Sequence, residues 1–288
     1  MSVATVGSAG VPDARRVVIV TGATSGLGRA TAVLFAARGA SVVAAGRRVP
    51  EGEALVQEVV DTGGDLAFVA TDVRRVDDCE ALAAAAMDRY GRIDVLVNNA
   101  GTEGEEPIVD SHEVTEAQWD DVVDTNLKGA FFCCRHALAH MRRQQSGVVL
   151  NIASINAIEG PARMAAYSAS KAALVQLSRT LAVEYVHDGI RVNAVVVGGV
   201  DTPQAERTRA AIRRHVLGTD DPPVPPAPKR RNPLVYAPDE AARTLVLFAD
   251  DDALMTGATI ALDRAMTAGS MASTMIYMTS AGIWTKPY

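Results

Sequence analysis

Seven short runs rich in β-branched residues alternate along this chain with Ala-rich amphipathic stretches. That alternation limits the possible folds more than any single motif does. The runs cover residues 16–21, 41–45, 66–70, 95–98, 148–153, 191–197 and 259–262. Stretches of helical period lie between them at 27–38, 53–62, 77–90, 116–143, 163–187 and 238–249. Buried apolar strands separated by helices predict an α/β protein with a parallel sheet covered on both faces. No break in composition and no internal repeat divides the chain, so one domain over 15–263 is expected. An N-terminal extension (1–14) precedes it and a tail (264–288) follows.

The first run leads into Thr21-Gly22-Ala23-Thr24-Ser25-Gly26-Leu27-Gly28 and then into a helix. Glycines let a backbone approach a phosphate, and the free N–H groups at a helix start carry partial positive charge. The spacing Gly-x-x-x-Gly-x-Gly differs from the commoner Gly-x-Gly-x-x-Gly, and a tight turn with no ligand is the competing reading. The second run ends in Ala45-Gly46-Arg47-Arg48, with no acid before Glu51. A carboxylate there would hold a ribose 2′-hydroxyl, whereas arginine suits a 2′-phosphate. NADP(H) is therefore expected over NAD(H), against the alternative of a solvated arginine pair. Asp72, after the third run, has two readings: an acceptor for an adenine amino group, or a helix N-cap.

Tyr167-Ser168-Ala169-Ser170-Lys171 lies in a stretch of helical period, where i, i+4 spacing puts phenol and ammonium on one face. Only Lys128, Lys171, Lys229 and Lys286 are lysines among 28 basic residues, which sets a mid-helix lysine apart from ordinary surface charge. A nearby cation is expected to lower the phenol pKa from its usual value of about 10, as acid–base work requires. Ser154 closes the fifth run, and Asn98-Asn99-Ala100-Gly101 closes the fourth at the same rim. Asn126 stands inside the 116–143 stretch, where a lone Asn is locally unfavourable.

On these residues the chain resembles the short-chain dehydrogenase/reductase family. The motifs are Thr21-Gly22-x-x-x-Gly26-x-Gly28, Asn98-Asn99-Ala100-Gly101, Asn126, Ser154, Tyr167-x-x-x-Lys171 and Arg191-Val192-Asn193, in family order over about residues 15–263. The resemblance implies a Rossmann-like, doubly wound, seven-stranded parallel sheet flanked by helices. It implies an oxidoreductase moving a hydride between NADP(H) and a carbonyl or secondary alcohol, with a hydrophobic ketone as the expected substrate. Tyr167 would be the acid/base, Ser154 would orient the substrate oxygen, and Lys171 would hold the nicotinamide ribose and lower the Tyr167 pKa. Asn126 would support a water that passes protons toward Lys171. The cofactor would rest on Gly22, Thr24, Ser25, Gly26, Leu27 and Gly28, then on Arg47, Arg48, Asp72 and Val73. Asn99, Ala100, Gly101, Tyr167 and Lys171 would line its middle, and Gly198, Val200 and Thr202 its nicotinamide end. Two alternatives are an NAD(H)-dependent alcohol dehydrogenase of the same family and a non-catalytic dinucleotide-sensing protein.

A formal charge of −6 argues against a nucleic-acid partner, which demands a basic face. Three cysteines (Cys79, Cys133, Cys134) fit a reducing compartment, so a cytoplasmic protein is expected. Residues 1–13 do not read as a signal peptide. Residues 265–285 carry no formal charge and are long enough to span a bilayer, but seven are Ser or Thr and two are Gly. No membrane role is expected. The tail reads either as packed on its own domain or as an arm over a neighbouring subunit or the pocket rim. Six of the thirteen prolines fall in 221–233, within a lid-like loop expected at about 202–236. Val197-Gly198 and Asp263-Arg264-Ala265 depart from the family pattern. Cys133 and Cys134 are expected to be buried. His136 and His140 read as surface or interface residues, and no metal site is expected. Glu103, Glu105 and Glu106 follow the Asn98–Gly101 turn and could meet a polar substrate, but a solvated loop is the preferred reading. The broad apolar stripes of 126–143 and 163–184, with the resemblance, imply a homo-oligomer, a dimer or tetramer.

Overall fold

In the computed structural model, which describes residues 15–218, 234–250 and 253–268, β1 (Val17–Thr21) is buried at every residue. Such a strand is covered on both faces. Its side chains alternate: Val18 and Val20 enter one core and Val17 and Ile19 the other. The chain continues through α1 (Gly26–Ala37), β2 (Ser41–Gly46), α2 (Val49–Asp61), β3 (Asp65–Ala70), α3 (Val76–Tyr90) and β4 (Val95–Asn98). Then come α4 (Glu116–Val123), a π turn (Asp124–Lys128), α5 (Gly129–Gln144), β5 (Gly147–Ser154) and α6 (Ala165–Tyr185). The last elements are β6 (Ile190–Val197), β7 (Gly199–Val200), α7 (Pro203–Leu217), β8 (Val235–Tyr236), α8 (Pro238–Phe248) and β9 (Thr259–Leu262).

Seven of these strands form one parallel sheet in the order β3-β2-β1-β4-β5-β6-β9. This is the expected Rossmann-like, doubly wound sheet. Phe35 of α1, Leu55 of α2 and Leu245 of α8 pack on one face, and Leu82 of α3, Leu138 of α5 and Leu181 of α6 on the other. Winding reverses between β1 and β4, which opens a crevice beyond their carboxyl ends.

Buried polar side chains help fix one central join and one outer join of the sheet. Asp94 accepts from the Val17 N–H at 2.8 Å and is held by Arg92 at 2.7 Å. Asn193 donates to the Met255 carbonyl at 2.7 Å and accepts from the Ala258 N–H at 3.0 Å, which seats β9 beside β6.

Strand limits agree with the sequence expectation to within a residue. Three helical expectations needed correction. First, α2 starts at Val49 rather than 53, because Pro50 is tolerated in a first turn whose N–H groups have no helical partner. Second, the 116–143 stretch is not one helix. Between α4 and α5 the Gly129 N–H reaches back five residues to the Asp124 carbonyl, an extra residue in the turn that carries Asn126. Third, α6 starts at Ala165 and ends at Tyr185, where a 3-10 turn (Val186–Asp188) follows.

The lid expected at 202–236 begins as α7, and β7 pairs with β8 so that both ends of the segment are tied at one place. The proline-rich part, the extension 1–14 and the tail from 269 onward lie outside the described residues. All three cysteines are buried free thiols. Among the described residues no helix is long and apolar enough to cross a membrane.

Candidate active site

The crevice at the carboxyl ends of β1, β2, β4, β5 and β6 is a cleft of roughly 650 Å³. Every residue of the expected cofactor set lines it except Gly28. Gly28 lies behind the wall: a Cβ there would fall 2.3 Å from Asn99 Nδ2 and 2.4 Å from the Gly22 carbonyl. Gly22 has φ +67°, and its Cβ would lie 2.8 Å from Ala100 Cα. The two glycine positions thus let the first turn nest against the Asn99–Ala100 turn. Thr21 Oγ1 accepts from the Asn99 and Ala100 N–H groups, and Asn99 Nδ2 donates to the Thr21 carbonyl.

The start of α1 fits a pyrophosphate. Ser25 stands at its N-cap without a side-chain capping bond, and no acid lies in the first turn. Its leading N–H groups therefore face the cleft without a competing side chain. At the adenosine end the arginines divide. Arg48 donates to Ser25 Oγ at 2.7 Å and to Thr24 Oγ1 at 2.9 Å. Arg47 is exposed and makes no hydrogen bond among the described residues. The expectation of two free guanidiniums thus becomes one free and one engaged. Asp72 takes neither of its two expected forms cleanly. Arg75 is the N-cap of α3, and both Asp72 oxygens are bound by Arg74, at 2.6 to 3.1 Å. Val73 beside it is buried and lines the same wall.

At the other end Thr202 N-caps α7 by accepting from the Ala205 N–H at 3.1 Å. Gly198, Val200 and Met266 complete that side. Ser154 closes β5, accepts from the Asn156 N–H at 3.2 Å and stands near enough to Tyr167 to pull its phenol pKa down. Tyr167 and Lys171 come from the first turns of α6 and are 9% and 4% exposed. Lys171 Nζ donates to the Ile152 carbonyl at 2.8 Å.

The charge states differ from the sequence expectation. Burial pushes the Tyr167 phenol up, the Glu103 charge adds to this, and the Ser154 hydroxyl pulls it back. Lys171 is drawn down to about 8 by its own burial, opposed by Glu103. A phenol made acidic by Lys171 is therefore not what this arrangement holds. Removing both groups from water outweighs their proximity.

Asn126 sits behind the cleft wall. Its side chain is completely buried and does not reach the cleft. Oδ1 accepts from the Thr102 N–H at 2.8 Å, and Nδ2 donates to the Thr102 carbonyl at 2.9 Å and to Ser170 Oγ at 3.0 Å. It positions the loop after β4. Glu103 on that loop is a cleft-lining side chain that sequence reasoning set aside. It is half-buried, whereas Glu105 and Glu106 are exposed. Its place immediately after the Asn98–Gly101 rim turn was the available signal.

Residues 16–213 match the family model for short chain dehydrogenases. A 3β-hydroxysteroid dehydrogenase of Mediterraneibacter gnavus is 41% identical over 69% of this chain and 71% of its own length. A cis-4-hydroxycyclohexanecarboxylate dehydrogenase of Sinomonas cyclohexanicum is 43% identical over 69% of this chain and 79% of its own. The crystal structure of a levodione reductase superposes with a TM-score of 0.78 at 33% identity, covering 88% of this chain and 98% of the other.

Proposed function

The chain belongs to the short-chain dehydrogenase family, and on that premise we propose that it is an NADP(H)-dependent reductase of neutral, hydrophobic ketones, with the reverse alcohol oxidation open to it. As a family member it is an oxidoreductase of hydroxyl and carbonyl groups that uses a nicotinamide dinucleotide. The convergence of Ser154, Tyr167 and Lys171 on one end of the cleft carries the reading.

When bound, the nicotinamide supplies or accepts the hydride. The protein's share is position and proton. Ser154 fixes the substrate oxygen beside the Tyr167 hydroxyl, which gives it a proton in reduction and takes one in oxidation. Lys171 places a positive charge under the same site, directed by its bond to Ile152. Arg47 would hold the 2′-phosphate, with Arg48 keeping Thr24 and Ser25 in place beneath it. Ile155 lines the cleft beside Ser154, and Pro107, Val122 and Met164 line the adjoining cavity, which favours an apolar substrate body.

Three free thiols fit a cytoplasmic protein. Exposed Phe131 on α5 and Val183 on α6 support a homo-oligomer built from those helices. Titration with NADPH and NADH side by side, followed by a panel of ketones and secondary alcohols, tests the proposal. Tighter NADPH binding with reduction of uncharged ketones is expected. Equal or tighter NADH binding overturns the cofactor assignment, and no turnover of any carbonyl or alcohol overturns the reaction.

A further inference from the structure

The loop after β4 is built around one side chain. Asn126 holds both backbone groups of Thr102, and Thr102 Oγ1 accepts from the Gly104 N–H at 3.0 Å. Glu103 is thus fixed between two tethered neighbours. Its carboxylate accepts from the Thr208 hydroxyl on α7, and Gln204 on the same helix helps lower its pKa. A second cavity of roughly 230 Å³ adjoins the cleft, and Glu103 and Tyr167 are the two residues that line both. The carboxylate therefore stands where a substrate held at Tyr167 extends away from its reacting carbon.

Burial pushes the Glu103 carboxyl up, and two cations, Lys171 and Arg207, act against that push without a hydrogen bond to it. Lys171 of α6 bonds to the Ile152 carbonyl, on the sheet side of Tyr167. Arg207 of α7 faces Glu103 but is exposed to water. Arg209 is paired with Asp201 and Glu206, and Arg213 with Glu206. Around the second cavity Arg163 is paired with Asp110 and Asp121 with Arg74, while Glu105 and Glu106 add further negative charge at its rim.

We propose that Glu103 is a specificity-determining residue whose fixed carboxylate excludes substrates bearing a negative charge near the reacting carbon and admits uncharged ones. The inference rests on the carbonyl–alcohol reading of the cleft. A half-buried charge acts through an effective dielectric well below that of water, enough for discrimination of at least about tenfold. The upward push that Glu103 exerts on both Tyr167 and Lys171 accords with its facing them across the cleft.

The test measures kcat/KM for matched keto esters and keto acids: methyl levulinate with levulinate, and methyl 4-oxocyclohexanecarboxylate with its acid. Wild type, Glu103→Gln, Glu103→Ala, Thr208→Val and Glu105→Gln are compared. Wild type is expected to favour each ester by about tenfold or more. Both Glu103 variants should bring the ratio close to one and move the Tyr167 limb of the pH profile to lower pH. Glu105→Gln should keep the wild-type ratio, and Thr208→Val, which releases the carboxylate from α7, should lower it. An ester-to-acid ratio near one in wild type, or a preserved preference in a folded Glu103 variant, overturns the inference and leaves carbonyl reduction standing. Wild type that reduces neither esters nor acids, nor any uncharged ketone, overturns the reading beneath it.

Discussion

Lys171 Nζ lies over the face of the Tyr167 ring, 5.8 Å from its centroid, and directs its hydrogen bond to the Ile152 carbonyl. The i, i+4 pair is therefore joined through the ring face and through burial. Ser154 is the neighbour that pulls the phenol pKa down. Four expectations follow from this arrangement and from the cleft around it.

Tyr167→Phe removes the hydroxyl proposed to exchange a proton with the substrate oxygen while preserving the ring that packs with Val122 and Met164. Turnover is expected to fall by on the order of 100-fold or more. Dinucleotide binding, followed by fluorescence quenching, should change little.

Reduction needs the protonated phenol and oxidation needs the phenolate. Burial and Glu103 hold the Tyr167 pKa above its ordinary value. The kcat/KM for reduction should stay level through neutral pH and fall only in the alkaline range, while that for oxidation should climb with pH. Ser154→Ala removes the hydroxyl that pulls the phenol down, so its oxidative limb should shift to higher pH as the rate falls. A limb that moves to lower pH contradicts this.

The folded Lys171 pKa of about 8 lies below its unfolded value. Below pH 8 both states bind the proton and the buried ammonium carries its full cost, on the order of 3 kcal/mol. That cost fades as pH rises toward the unfolded pKa. Lys171→Met should therefore be inactive yet at least as stable as wild type at pH 7, with a Tm equal or higher by up to about 5 °C in calorimetry. The difference should shrink above pH 9.

Arg47→Ala should weaken NADPH binding by about tenfold or more and leave NADH binding near its wild-type level. Arg48→Ala should cost less NADPH affinity, because that guanidinium is already engaged by Thr24 and Ser25. Isothermal titration with both dinucleotides separates the two effects.

Much of the molecule was legible in the chain because local signals and tertiary structure agreed. Strand limits followed from runs such as Val17–Thr21, buried throughout and so apolar at every position. The glycine turn, the Asn99–Ala100 turn and the Tyr167–Lys171 pair were each found where their motifs placed them. Asn126 was singled out as a locally unfavourable residue, which was right. Its task was not legible, because the Thr102 backbone it clamps lies 24 residues away.

The sequence by itself determined the sheet, the order of its strands' motifs and the rim on which the cleft forms. Those depend on periodicity and on residue types that only particular turns accept. Only the tertiary structure decided the charges. Burial set Tyr167 upward and Lys171 downward, Arg48 turned its donors inward, and Glu103 left solvent to join Thr208, 105 residues further on. The free energy of a charge depends on the water removed from it and on neighbours across space, neither of which sequence spacing records.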